Sequence, residues 1–175
     1  MPTKPQHAPG TAPRPPVRLS VQFASRAHRA ELPRHKLLRW VRAALRRGPF
    51  DARLAVDDPT PDQPAEFTLR FVGAEEGREL NNSYRGKDKA TNVLTFDYQP
   101  WPPAADIVLC DDVIATEADE QGKALQAHYA HMVVHGVLHA LGWDHVRDAD
   151  AIRMEQAERE ILASLGFDDP YATTR

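Results

Sequence analysis

Acidic residues are almost missing from the first fifty positions, where Glu31 stands alone against eleven Lys and Arg. The rest of the chain holds eleven cations and twenty-four acids, so a formal net charge of −3 hides a cationic first third. A protein of acidic average can still hold a polyphosphate with such a surface, because the screening length of about 8 Å makes nearby charge count more than the total. A solvated cationic helix and a charged tail are the plainer alternative. Cysteine is nearly absent too. The single thiol, Cys110, excludes an internal disulfide, and with no base near it in sequence it is expected to pack in a strand. Long apolar runs are missing: nothing resembles a signal peptide, and nothing approaches the roughly 18 to 20 residues needed to span a bilayer, so the expectation is a soluble, cytoplasmic protein. With 175 residues, 42% of them hydrophobic, the chain can bury one good core.

What is present changes character along the chain. Residues 1–16 carry six of the fifteen prolines and little to bury, which predicts a disordered tail. A domain over residues 17–169 should follow, then a flexible C-terminus over 170–175. Val17, Leu19, Val21 and Phe23 alternate with polar residues, the period of a strand with one face on a core. A helix should begin with Pro33 at its first position and bury Leu37, Leu38, Val41 and Leu45 before Gly48-Pro49, leaving Arg34, Arg39, Arg42 and Arg46 outside. Phe67, Leu69 and Phe71 read as a second strand, followed by a short helix through Leu80. The segment Arg85-Gly86-Lys87-Asp88-Lys89 reads as an exposed loop, and Tyr84 before it as a core tyrosine rather than a ring for a base to stack on. Strands are expected at Val93 to Phe96 and Ile107 to Leu109, separated by the breakers Pro100, Pro102 and Pro103. Helices are expected near 113–124, 126–142 and 149–165, the last with a stripe of Ile152, Ile161, Leu162 and Leu165. The sum is one α+β domain, a mixed sheet of about four strands with about five helices.

The chemistry concentrates in His135-Gly136-Val137-Leu138-His139-Ala140-Leu141-Gly142-Trp143-Asp144-His145. An i,i+4 pair shares a helix face, so His135 and His139 can aim at one point. Gly142 can take a positive φ, end the helix and return the chain so that His145 joins them. Three neutral imidazoles leave one tetrahedral position open, as catalytic rather than structural zinc sites do. The spacing matches the H-E-x-x-H-x-x-G-x-x-H metalloproteases except that Gly136 replaces the glutamate base, which argues against peptidase chemistry. A bound ion could acidify a water without that glutamate. His128 and His131 are weaker candidates to join the triad. Asp144 could bond to a ligand imidazole, reach a metal-bound water, or simply cap the turn. Three histidines also suit nickel, cobalt or copper.

These eleven residues resemble the H-G-x-L-H-x-x-G-x-D-H signature of the YbeY family, bacterial metal-dependent endoribonucleases of ribosomal RNA maturation and ribosome quality control. Leu80-Asn81-Asn82-Ser83-Tyr84-Arg85-Gly86-Lys87-Asp88-Lys89-Ala90-Thr91-Asn92-Val93-Leu94-Thr95-Phe96 is similar to that family's L-N-x-x-Y-R-x-K-D-x-x-T-[DN]-V-L-S-F segment, and Ala105-Asp106-Ile107-Val108-Leu109-Cys110 to its G-D-I-x-I-C strand. The departures are Ala90, Thr95, Ala105 and Ala140; none removes a candidate ligand, though Ala105 could alter entry into its strand. The resemblance implies metal ligation by His135, His139 and His145, catalytic roles for Arg85 and His139, and one zinc ion. It implies RNA as partner, with ribosomal subunits, ribosomal proteins or assembly GTPases alongside. Arg85 suits charge developing on phosphoryl oxygens because its planar fork matches two of them. Lys87 and Lys89 are candidates to hold substrate phosphates. The alternatives are a hydrolase of another substrate class and a ribosome-assembly factor in which metal only pins the last helices.

Overall fold

The computed structural model describes residues 16–57 and 62–172. The tail predicted over residues 1–16 therefore lies almost wholly outside them. Four strands form one sheet: β1 (Val17–Phe23), β2 (Ala65–Val72), β3 (Val93–Pro100) and β4 (Pro103–Cys110). Their order is β1-β2-β4-β3, with β1–β2 and β2–β4 parallel and β3–β4 antiparallel. The sheet is mixed, as expected, and Ala105 pairs with Phe67 and Asp97 beside a register shift between Asp97 and Gln99. Pro100 and Pro103 face each other across the tight β3–β4 hairpin, so the prolines mark its turn and lie at the strand ends.

The helices are α1 (Arg34–Leu45), α2 (Arg53–Asp57), α3 (Ala74–Arg85), α4 (Asp111–Glu120), α5 (Leu125–Ala140) and α6 (Asp148–Ser164). The short α2 is additional to the five expected. Pro33 caps α1 from outside, its carbonyl accepting from Lys36 and Leu37. Leu37, Val41 and Leu45 are buried as predicted, and Trp40, Ala43 and Ala44 join them, whereas Leu38 is only half-buried.

The main core lies between one sheet face and α1, α5 and α6, with Phe67, Phe71, Leu69, Ile107 and Tyr129 among its fully buried side chains. A smaller cluster of Val72, Leu94, Val108 and Cys110 covers the opposite face with Leu80 from α3 and Val113 from α4. Cys110 is buried at the end of β4, as its solitary position predicted. Ile152 and Tyr84 depart from expectation. Ile152 is 67% exposed, because α6 turns Met154, Ala157, Ile161 and Leu162 inward instead. Tyr84 is 54% exposed and packs only one side against Phe96, since it lies on the outer face of the last turn of α3. None of the helices is long and apolar enough to cross a membrane, among the described residues.

Candidate active site

α5 is apolar on nearly every side because it is buried between the sheet and its neighbouring helices, so its histidines enter the interior. It approaches β3 and β4 closely at Gly136, whose carbonyl accepts a hydrogen bond from Thr95 Oγ1 at 3.2 Å. His135 and His139, one turn apart, stand with ring centroids 4.6 Å from each other and Nε2 atoms 3.0 Å apart.

Gly142 takes φ +87°, the left-handed conformation expected of it. Its N–H donates to His139 O and that of Trp143 to Leu138 O, each at 3.0 Å, the paired bonds of a Schellman stop. Trp143 Nε1 then donates to Gly48 O at 3.0 Å, pinning the turn to the end of α1. The chain doubles back and places the His145 ring 5.5 Å from His135 and 5.1 Å from His139, centroid to centroid. One nitrogen of each ring lies within 4.8 Å of the others, so modest rotation lets all three meet one ion. Among the described residues Asp144 bonds to none of the three imidazoles: its Oδ1 accepts from the backbone N–H of His145 at 2.6 Å and caps the turn.

The donor set suits a borderline divalent ion: nitrogen only, three ligands, one side open. Burial, and then the neighbouring His135 and His145, hold the His139 pKa down at about 4, so its lone pair is available near neutrality.

Sequence reasoning missed Glu158. It is 1% exposed on α6, and His135 Nδ1 donates to its Oε1 at 3.0 Å. His131 Nε2 and the Tyr171 hydroxyl both donate to Oε2, the latter at 2.8 Å. Burial pushes this carboxyl up, but the hydrogen bonds from His131 and His135 outweigh it and keep it ionised below the usual carboxylate range. A signal existed, since Glu158 falls on the same stripe as Met154, Ile161 and Leu162, where an acid is out of place unless partnered. His131, His135 and Glu158 make a second group with metal-like spacing, but a buried one. His128 bonds instead to Glu117, at 2.7 Å.

The three histidines share the lining of a cleft of about 350 Å³ with Arg85, Thr91, Asn92, Thr95 and Asp97. Arg85 is the last residue of α3, not part of a loop, and Gly86 at φ +68° ends that helix. α3 and α5 pack on opposite faces of the sheet, and Arg85 and the histidines meet beside the edge strand β3. Lys87 and Lys89 are exposed but lie outside the cleft lining, on a loop tied back by Asp88 to Arg78 at 2.6 Å.

Comparison with known proteins agrees with this geometry. The family model described as Endoribonuclease YbeY matches residues 22–166. A protein of that name from Methylibium petroleiphilum is 53% identical over 160 residues, covering 91% of this chain and 97% of its own. Another from Acidovorax sp. strain JS42 is 55% identical over 160 residues, covering 88% and 95%. The solution structure of a Thermotoga maritima protein shares the fold at 19% identity, with a TM-score of 0.51 over 89% of this chain and 99% of that one. The match spans the cleft lining and every helix and strand that builds it, and on that ground the chain belongs to the YbeY family of endoribonucleases.

Proposed function

We propose that this endoribonuclease cuts single-stranded RNA with the help of one zinc ion held by His135, His139 and His145. The observation that carries the reading is that three imidazoles and Arg85 line one polar cleft. A cleft of about 350 Å³ suits a single unpaired nucleotide better than a duplex.

Held by His135, His139 and His145, an ion would supply Lewis acidity and lower the pKa of water from about 15.7 towards 7. The three histidines hold it as neutral nitrogen donors. Arg85 presents two parallel N–H groups to the phosphoryl oxygens on which negative charge grows as the scissile bond is attacked. Tyr84, beside it and half outside the fold, offers a ring on which a base can stack. Lys87 and Lys89 hold phosphates further along the strand.

Arg39, Arg42 and Arg46 recur on the exposed face of α1 and form no ion pair among the described residues. Three unpaired guanidinium groups on one helix face supply backbone contacts beyond the cleft. The family resemblance supports a substrate in ribosomal RNA, specifically maturation of the small-subunit 3′ end, with a role in ribosome quality control. Ribosomal subunits, ribosomal proteins or assembly GTPases in the cytoplasm are then its partners.

The test is to incubate zinc-loaded protein, and its His139→Ala variant in parallel, with single-stranded and duplex RNA. Cleavage of the single strand by the first and by neither form of the duplex is the expected outcome. Equal cleavage by the variant would refute the metal-based reading.

A further inference from the structure

The two candidate metal groups share His135, and the question is what the inner one does. Glu158 is surrounded by three donors, His131, His135 and Tyr171, and both of its oxygens are engaged. His131 Nδ1 is buried with no partner, so a proton there would be an unsatisfied donor; its proton belongs on Nε2, facing the carboxylate. The same logic assigns the proton of His135 to Nδ1, 3.0 Å from Glu158 Oε1, and leaves its Nε2 bare and turned to His139. In the inner cluster both Glu158 oxygens and the ring nitrogens that face them are thus taken up by hydrogen bonds, whereas the outer one presents lone pairs to an open cleft.

We infer that Glu158 is a positioning residue for the metal: through a hydrogen bond to His135 it selects the ring tautomer and orientation that direct Nε2 at the ion, and Tyr171 in turn anchors the carboxylate. The inference rests on the metal-binding reading above. Orienting carboxylates of this kind raise the basicity of a ligand imidazole and save the entropy of fixing the ring when metal arrives. Tyr171 links the device to the C-terminal segment. Its ring meets His131 edge-on at 5.3 Å, the Arg159 guanidinium lies 5.1 Å over its centroid, and Lys123 Nζ bonds to the neighbouring Pro170 carbonyl. That segment holds the donor against Glu158 from the side opposite the cleft.

The experiment measures zinc dissociation constants, by competition with a chromophoric chelator, for wild type and for Glu158→Gln, Tyr171→Phe, His131→Ala and His139→Ala. Circular dichroism and unfolding of each metal-free form run alongside. Glu158→Gln keeps the volume but must donate from its amide to one of its former partners, so affinity should fall about 10- to 100-fold with the fold retained. Tyr171→Phe, which loses one hydrogen bond and keeps the ring, should weaken binding about two- to tenfold. His139→Ala should abolish specific binding.

Wild-type affinity in a folded Glu158→Gln variant would overturn the inference while leaving the outer metal site intact. Retention of metal by His139→Ala, with its loss in Glu158→Gln and His131→Ala, would instead put the ion in the inner group and sink both readings. Should Glu158→Gln fail to fold, nitrogen-15 spectra of the metal-free wild type decide the matter: His135 protonated on Nδ1 supports the inference, and protonation on Nε2 overturns it.

Discussion

A Cβ placed on Gly136 would lie 2.8 Å from Ile107 Cγ2, closer than side chains pack. The helix that carries the histidines thus rests against β4 at a separation that only glycine permits at this residue. The glutamate found at the equivalent letter of the metalloprotease motif has no room here, so the absence of a general base and the seating of α5 share one cause.

Gly136→Ala should destabilise the protein. A gain of about 1 kcal/mol in helix propensity is outweighed by about 1–3 kcal/mol of overpacking against Ile107. Chemical denaturation would register a lower midpoint, and an unchanged or raised one would show that α5 shifts freely. Gly136→Glu should fare worse and acquire no peptidase activity.

Arg85→Ala should keep metal and fold yet lose RNA cleavage by about 10²- to 10³-fold, the usual effect of removing one donor to developing charge. Single-turnover cleavage by the metal-loaded variant provides the check; rates near wild type would exclude the assigned role.

RNA affinity should fall steeply with salt, because contacts to the backbone release counterions. Replacing Arg39, Arg42 and Arg46 together by Gln should flatten the log–log slope by about 0.7 for each arginine that contacts a single strand. Identical slopes for the two proteins would remove α1 from the RNA-binding surface.

The metal-free protein should lose stability as pH drops from about 6.5 to about 4. His139 has an ordinary value of 6.5 and is held at about 4 by burial and its neighbouring imidazoles, so below 6.5 the unfolded chain takes up a proton that the folded chain refuses. His128, also lowered chiefly by burial, acts in the same direction. Its stabilising contribution is present above that window and disappears through it. Urea unfolding at pH 7 and pH 4.5 measures this, and a His139→Asn variant should show a shallower decline.

Local chemistry was enough for much of the fold. Alternation at Val17 to Phe23 and at Phe67 to Phe71, Pro33 ahead of α1 and Gly142 at positive φ all act within a few residues, and each produced the element it implies. The convergence of His135, His139 and His145 was legible for the same reason, since a helical turn and a glycine stop lie inside eleven residues. Tyr84 and Ile152 were misread because periodicity says which residues share a face but not how wide the covering layer is.

Three features depended on contacts between distant segments: Arg85 brought to the cleft around the margin of β3, the tight approach of Gly136 to Ile107, and Glu158 locked by His131, His135 and Tyr171. Spacing along a chain encodes turns of a helix, whereas the partner of a buried carboxylate is chosen by how two helices pack. The three converging imidazoles could therefore be read in the letters, and the groups that surround them needed the folded molecule.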